Sequence, residues 1–286
     1  MLADKGFAMA GKVEGKVAFI TGVARGQGRA DAVRLAEEGA SIIGIDLCQQ
    51  LELVDYPLAT DEDLAETVEL VEKAGGRIVA GPADVRDRDS MATVLERGLH
   101  ELGRLDFVVA NAGVMPIWGE QAQTMNAWQL CLDILLTGVL NTVELTYPVI
   151  RDQGDGGSIV VISSMAALGP MMRTEESHTL GLLGYSAAKL GLVNLARNYG
   201  SFLARHHIRV NTIHPTGVDT PMINNDMSRG HFEIANDEDK LVLVNAMPVT
   251  RVEPLDIANT VLWLCSDDSR YITGSMVRVD AGASLR

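Results

Sequence analysis

Tyr185 and Lys189 stand four residues apart in Gly184-Tyr185-Ser186-Ala187-Ala188-Lys189. On a helix that spacing puts both side chains on one face. An ammonium held beside a phenol lowers its pKa and makes it a proton acceptor near neutrality. The pair therefore predicts general acid–base chemistry. Its rival reading is a half-buried tyrosine beside a solvated lysine, and the rest of the chain must decide between the two.

From residue 17 almost to the end, short β-branched apolar runs alternate with longer amphipathic stretches. That rhythm predicts an α/β protein, a parallel sheet covered by helices on both faces. Strands are expected at Val17–Thr21, Ser41–Asp46, Arg77–Ala80, Leu105–Ala110, Ser158–Ser163, Ile208–Ile213 and Met276–Val279. Helices are expected at Gly28–Glu38, Asp61–Lys73, Asp89–Leu102, Thr124–Arg151, Tyr185–His206 and Pro254–Cys265. No repeat or Pro/Ser-rich linker divides the chain, so residues 15–286 are read as a single domain after an N-terminal extension of residues 1–14. Cys48–Thr60, Met165–Gly184 and Thr216–Arg251 fit no regular element. They follow strand C-termini, where open α/β sheets bind ligands, and the last two are expected to be substrate loops (about 165–184 and 216–251).

The first strand runs into Gly22-Val23-Ala24-Arg25-Gly26-Gln27-Gly28, and a helix follows. Such a turn lets backbone approach a pyrophosphate, whose charge the free N–H groups and positive end of the helix stabilise. Asp46 closes the second strand 18 residues past Gly28, beside Leu47. A carboxylate there accepts hydrogen bonds from both ribose hydroxyls and repels a 2′-phosphate, so NAD is favoured over NADP. Arg25 argues the other way, since a guanidinium can bind that phosphate. Asp84-Val85 is expected at the adenine. Asn111-Ala112-Gly113 is expected to combine close contact with the cofactor and a tie between strands.

Composition narrows the function classes. A net charge of −14 opposes binding to nucleic acid or anionic membranes. Cys48, Cys131 and Cys265 are widely spaced and suggest free thiols in a reducing cytoplasm. No signal-peptide stretch opens the chain, and no apolar run is read as membrane-spanning. Six histidines show no metal-site spacing, with His206-His207 closing a helix, so no metal is expected. Met171, Met172, Met222, Met227 and Met247 fall in the two long loops and could form an adaptable pocket wall or fill gaps. Asp237-Glu238-Asp239 reads as a solvated face.

Taken together, Thr21–Gly28 as Thr-Gly-x-x-x-Gly-x-Gly, Asn111–Gly113, a strand-end serine and Tyr-x-x-x-Lys resemble the short-chain dehydrogenase/reductase family from Gly15 to Gly282. The resemblance implies a Rossmann-type, doubly wound, seven-stranded parallel sheet. Gly26-Gln27-Gly28-Arg29, Tyr56–Thr60, Ala83–Asp87 and Arg270–Gly274 are similar to the actinobacterial carveol-dehydrogenase-like, mycofactocin-associated subgroup. The family analogy implies that Ser164 polarises a carbonyl, that Tyr185 exchanges the proton, and that Lys189 binds the nicotinamide ribose and acidifies Tyr185. Tyr185 and Lys189 then also touch the cofactor. In His214–Thr220 the analogy puts Pro215, Val218 and Thr220 at the nicotinamide. It further implies a homotetramer, in which the surplus apolar surface of the two longest helices would be covered.

Two departures stand out. The Ser164–Tyr185 interval is long, with Met171–His178 as the excess, and is expected to reshape the substrate pocket. Leu135 in Leu132–Gly138 replaces the family's usual asparagine, which anchors a water chain to the lysine, and leucine forms no hydrogen bond. The leading expectation is an NAD(H)-dependent oxidoreductase interconverting a secondary alcohol and a ketone on an apolar, terpenoid-like substrate. The rivals are an enzyme that retains its NAD and uses an external redox partner, and a weakly catalytic nucleotide-binding scaffold.

Overall fold

The computed structural model describes residues 11–285 except 176, 227 and 231–243. The Asp237–Asp239 run, Met227 and most of the second loop's centre therefore lie outside the described residues, as do residues 1–10 of the N-terminal extension. Among those described, seven strands form β1 (Val17–Thr21), β2 (Ser41–Asp46), β3 (Ile78–Pro82), β4 (Phe107–Ala110), β5 (Gly157–Ile162), β6 (Ile208–Pro215) and β7 (Met276–Val279). All pair in parallel, in the order β3-β2-β1-β4-β5-β6-β7. The chain order reverses between β1 and β4, which opens a crevice at their C-terminal ends.

The helices are α1 (Gly26–Glu37), α2 (Asp61–Lys73), α3 (Arg88–Leu102), α4 (Met125–Cys131), α5 (Gly138–Gln153), α6 (Leu180–Leu203) and α7 (Pro254–Cys265). Strand alternation sorts the core into two layers. Phe19, Ile43 and Ile45 face one cluster with residues of α3, α5 and α6. Ala18, Ile20 and Ile42 face the other with residues of α1, α2 and α7. This is the parallel sheet covered on both faces that the alternating pattern predicted, in the doubly wound, seven-stranded form that the resemblance implied.

Several boundaries differ from the sequence reading for local reasons. Helix α6 starts at Leu180, five residues before Tyr185, because Thr179 caps it by accepting the Leu182 amide (3.0 Å). The glycines of its first turns serve close packing. A Cβ on Gly181 would fall 2.0 Å from the Pro116 carbonyl, and one on Gly184 2.9 Å from Trp128. Asp87 accepts the Asp89 amide and starts α3 at Arg88. Helix α1 starts at Gly26 rather than Gly28, and β3, β4, β5 and β6 shift by one or two residues at their ends. The expected Thr124–Arg151 helix is interrupted by a π turn at Leu132–Thr137 between α4 and α5. By length and composition Met125–Gln153 is apolar enough to cross a membrane, contrary to the sequence reading, and half of its apolar window is buried in the fold.

Candidate functional site

The crevice at the ends of β1, β2 and β4 is an open cleft that runs from Gly22, Gly26 and Asp46 past Asn111 to Tyr185 and Lys189. Gly22 leaves β1 at φ +70°, and a Cβ there would meet the Ala112 backbone at 2.8 Å. Gly28 is held so tightly that a Cβ would fall 2.0 Å from the Gly22 carbonyl. Asn111 fixes this junction, its Nδ2 donating to the carbonyls of Thr21 (3.0 Å) and Gly22 (3.1 Å). It thus ties β4 to β1, as expected. The N-terminus of α1 carries no side-chain cap and no acidic residue in its first turn. Its free N–H groups and dipole point into the cleft and suit an anion.

Asp46 sits at the end of β2, where its carboxylate accepts the amides of Ala24 (3.0 Å) and Cys48 (3.4 Å). Burial raises its pKa, and the backbone amides oppose that effect. Arg25, the residue that argued for a 2′-phosphate, is engaged elsewhere, its guanidinium donating to the Pro57 carbonyl. This contact holds segment 48–60 beside the cleft, which Leu51, Tyr56, Leu58 and Ala59 line together with Leu47. Asp84 and Val85 line the same wall. The Asp84 carboxylate takes the Arg86 guanidinium (2.5 Å), which holds its pKa below the usual carboxylate range despite partial burial.

At the far end lie Tyr185, Lys189 and the β5 terminus. Ser164 is extended (φ −166°, ψ 161°) and starts a short 3₁₀ turn, its Oγ accepting the Ala166 amide (3.1 Å). Its hydroxyl interacts with the Tyr185 phenol. Ser163 instead donates to the Lys189 carbonyl (2.9 Å), which anchors α6 to the sheet. The two adjacent serines thus have separate tasks, and Ser164 is the one that meets the tyrosine.

The structure overturns one part of the Tyr-Lys reading. Lys189 Nζ lies 5.7 Å from the Tyr185 ring centroid, on the shared face, but it donates to the Ile162 carbonyl (2.8 Å). Tyr185 opens part of its surface to the cleft, yet the dense protein around its phenol pushes the pKa up, opposed by Ser164. Burial also pulls Lys189 down to about 8. Desolvation outweighs the helix-spacing argument, because both groups lose water and the ammonium is directed at a carbonyl.

Of the other expected cofactor residues, Gly26, Gln27, Ala112, Gly113 and Thr220 line the cleft, and Gly28 supports it from beneath. Pro215 and Val218 are set back from it, Val218 being buried in a bridge to Val252. Met222 lines the cleft, Met247 is exposed, and the described residues of Met171–His178 are not among those lining it. Sequence reasoning missed Tyr56, whose hydroxyl accepts the Met115 amide (3.0 Å), and buried Cys131, whose thiol donates to the Gly181 carbonyl (3.5 Å). Cys131 is pushed up to about 12 by burial, so the thiol is neutral beside Tyr185 and Lys189. The only signal for Tyr56 was its place in the segment quoted for the resemblance. Among the described residues, no group of three His, Cys, Asp or Glu could hold a metal ion.

Leu135 falls in the π turn, buried and lining the cleft. It occupies the space that Gly113 leaves free, since a Cβ on Gly113 would stand 2.9 Å from Leu135 Cδ2. If this position limits proton transfer, Leu135→Asn should raise turnover and shift its pH profile, at a stability cost of about 1–3 kcal/mol for the buried amide. Rates measured across pH and a denaturation curve check this. Wild-type rates with a wild-type profile would remove position 135 from the proton path.

A family model described as "Enoyl-(Acyl carrier protein) reductase" matches residues 22–284. The chain is 52% identical over 270 residues to an uncharacterized oxidoreductase of Mycobacterium tuberculosis, covering 94% of this chain and 96% of that protein. It is 42% identical over 289 residues to (-)-trans-carveol dehydrogenase of Rhodococcus erythropolis, covering 96% and 99% respectively. Its fold superposes with a TM-score of 0.88 on a short chain dehydrogenase from Mycobacterium paratuberculosis bound to NAD, at 44% identity, covering 96% of this chain and 100% of that one. Glycine turn, Asn-Ala-Gly and Tyr-x-x-x-Lys meet at one cleft of a doubly wound sheet, with Ser164 behind the Tyr185 phenol, and the chain belongs to the short-chain dehydrogenase/reductase family of oxidoreductases.

Proposed function

We propose that the protein is an NAD-dependent dehydrogenase that interconverts a secondary alcohol and a ketone on an apolar substrate of terpenoid size. The observation that carries this reading is that Tyr185, with Ser164 beside its phenol, lines the end of the cleft opposite Asp46 and the uncapped α1 terminus. Gly22, Gly26, the α1 amides and Asp46 would hold the dinucleotide, which when bound supplies the hydride acceptor or donor. The chain's own residues do the proton chemistry. Ser164 holds the substrate oxygen, and Tyr185 takes the hydroxyl proton in oxidation or gives it in reduction. Lys189, still mainly protonated near neutral pH, supplies positive charge behind the phenol. Ile134, Val114 and Met222 make this part of the cleft apolar.

The test is turnover on a panel of secondary alcohols that includes carveol, with NAD and NADP, in wild type and Asp46→Ser. Wild type should oxidise at least one alcohol with NAD and prefer NAD by about 10²-fold or more, and Asp46→Ser should lose most of that preference. The expected change is about 2–3 kcal/mol, the worth of charge-assisted hydrogen bonds. No turnover with any alcohol would favour the scaffold.

A second reading has its own support. The Arg25–Pro57 contact and the Tyr56–Met115 bond hold segment 48–60 along the cleft, as would suit an enzyme that keeps its NAD and passes electrons to an external partner. Cofactor that survives purification and fails to exchange with added NAD, seen by native mass spectrometry, would favour it. We further propose a cytoplasmic homotetramer, supported by exposed Leu140 on α5 and Leu190 and Phe202 on α6. The same native spectrum reads the subunit number.

A further inference from the structure

We propose that His214 is a positioning residue that holds Ser164 in place for Tyr185; the inference rests on the Ser164–Tyr185–Lys189 reading above.

The β5–β6 ladder ends where the Ser163 amide donates to the Ile213 carbonyl (2.8 Å). One residue further on, Ser164 leaves the sheet, and no strand meets its carbonyl. The His214 side chain does, with Nδ1 2.9 Å from the Ser164 oxygen. A carbonyl can only accept, so Nδ1 carries the proton. Nε2 lies 2.7 Å from Thr212 Oγ1.

The imidazole is fully buried, and burial lowers its pKa. The Lys189 and Arg278 charges act in the same direction, and the Ser164 carbonyl and Asp280 oppose them. The lowered pKa favours the neutral ring, in which Nε2 accepts the Thr212 hydroxyl at 2.7 Å, a shorter contact than that hydroxyl makes to the Ser275 carbonyl (3.3 Å). Thr212 is itself fixed, its amide donating to the Ser275 carbonyl (2.9 Å). On its other side Ser164 is held by the turn that follows it, through the Ala166 amide on Oγ (3.1 Å) and the Ala167 amide on its carbonyl (3.1 Å). The imidazole thus extends the ladder by one side-chain bond and holds the Ser164 backbone, while the Ala166 amide on Oγ holds χ1. Its hydroxyl then meets the phenol without a search.

The experiment compares wild type, His214→Leu, His214→Asn and Tyr185→Phe, using NAD and the alcohol that wild type oxidises fastest in the panel. Leucine keeps the volume and removes both hydrogen-bonding atoms, whereas asparagine returns an N–H near the Nδ1 position. His214→Leu should lower kcat by about 10- to 100-fold, the scale of a small misplacement at a reacting centre, with KM and NAD affinity unchanged. His214→Asn should recover most of that loss. Nitrogen-15 NMR of the neutral wild-type imidazole should show the Nδ1–H tautomer.

Wild-type kcat in His214→Leu, equal losses in the two variants, or an Nε2–H tautomer would overturn the proposal. If His214→Leu fails to fold, the asparagine variant and the tautomer still decide it. Turnover retained by Tyr185→Phe, or absent from wild type, would instead bring down the reading on which it rests.

Discussion

Replacing Tyr185 by phenylalanine is expected to lower turnover by about 10²–10⁴-fold, the range that positioned acid–base groups contribute. NAD affinity should stay at its wild-type value. The variant removes one oxygen and keeps the ring, so fluorescence titration with NAD and steady-state rates separate chemistry from binding. Turnover within about threefold of wild type would remove the phenol from the mechanism.

The pH dependence of wild type follows from the environment of the pair. Burial holds the Tyr185 phenol above its ordinary range, so the neutral form, the proton donor in reduction, is the one present at pH 7. Carbonyl reduction should therefore be fast at neutral pH and decline on the alkaline side. Alcohol oxidation, which needs the phenolate, should climb with pH. Lys189→Met should abolish turnover as well, yet stabilise the protein. The folded lysine releases its proton at about 8 against 10.5 when free. Between those values the unfolded chain binds more protons, so stability rises with pH, and below them the buried ammonium is a fixed burden. Each tenfold change in proton affinity is worth about 1.4 kcal/mol, which puts the relief on the order of 3 kcal/mol. A Tm below wild type at pH 7 would contradict this.

The second large effect is expected at Asp31, far from any proton transfer. Asp31 lies on α1, wholly buried, and among the described residues neither carboxylate oxygen finds a hydrogen-bond partner. One turn earlier, Gln27 Oε1 is buried without a partner too. Burial pushes the Asp31 pKa well above the usual carboxylate range. The folded state therefore keeps a proton that the unfolded chain gives up near 3.8. Above that pH the native state binds more protons, so stability falls as pH rises towards the folded pKa. Asp31→Asn removes the ionisation at nearly constant volume. It should stabilise the protein at pH 7, raise Tm, and flatten the pH dependence of stability above about pH 4, where the unfolded carboxyl ionises. Thermal unfolding of both proteins at pH 5 and pH 7 tests this. An equal or lower Tm in Asp31→Asn at both values would show that the carboxyl has partners in solution.

How much of this was legible beforehand varies from residue to residue. Asp46 could be placed from its distance to the glycine turn, because β-α-β connections are short and stereotyped and fix where the second strand must end. Asn111 was legible for the same reason, as the first residue beyond a fully buried strand. The start of α6 was not. Gly181 and Gly184 look like loop residues locally, and only Pro116 and Trp128, distant in sequence, explain why a helix needs them small. Nor could sequence assign His214, whose two nitrogens are satisfied by Ser164 and Thr212 across a strand end.

The same division runs through the Tyr185–Lys189 pair. Sequence by itself determined that the two side chains share a helix face, that a dinucleotide cleft precedes them, and that the sheet is parallel and doubly wound. Those properties follow from periodicity and spacing along one chain. Only the tertiary structure decided that Lys189 turns to the Ile162 carbonyl, that the phenol is raised rather than lowered, and that Ser163 is spent on the Lys189 carbonyl. The reason is physical: a pKa and a hydrogen-bond partner depend on how much water is excluded and which carbonyl lies within 3 Å, and both are set by segments that meet only on folding.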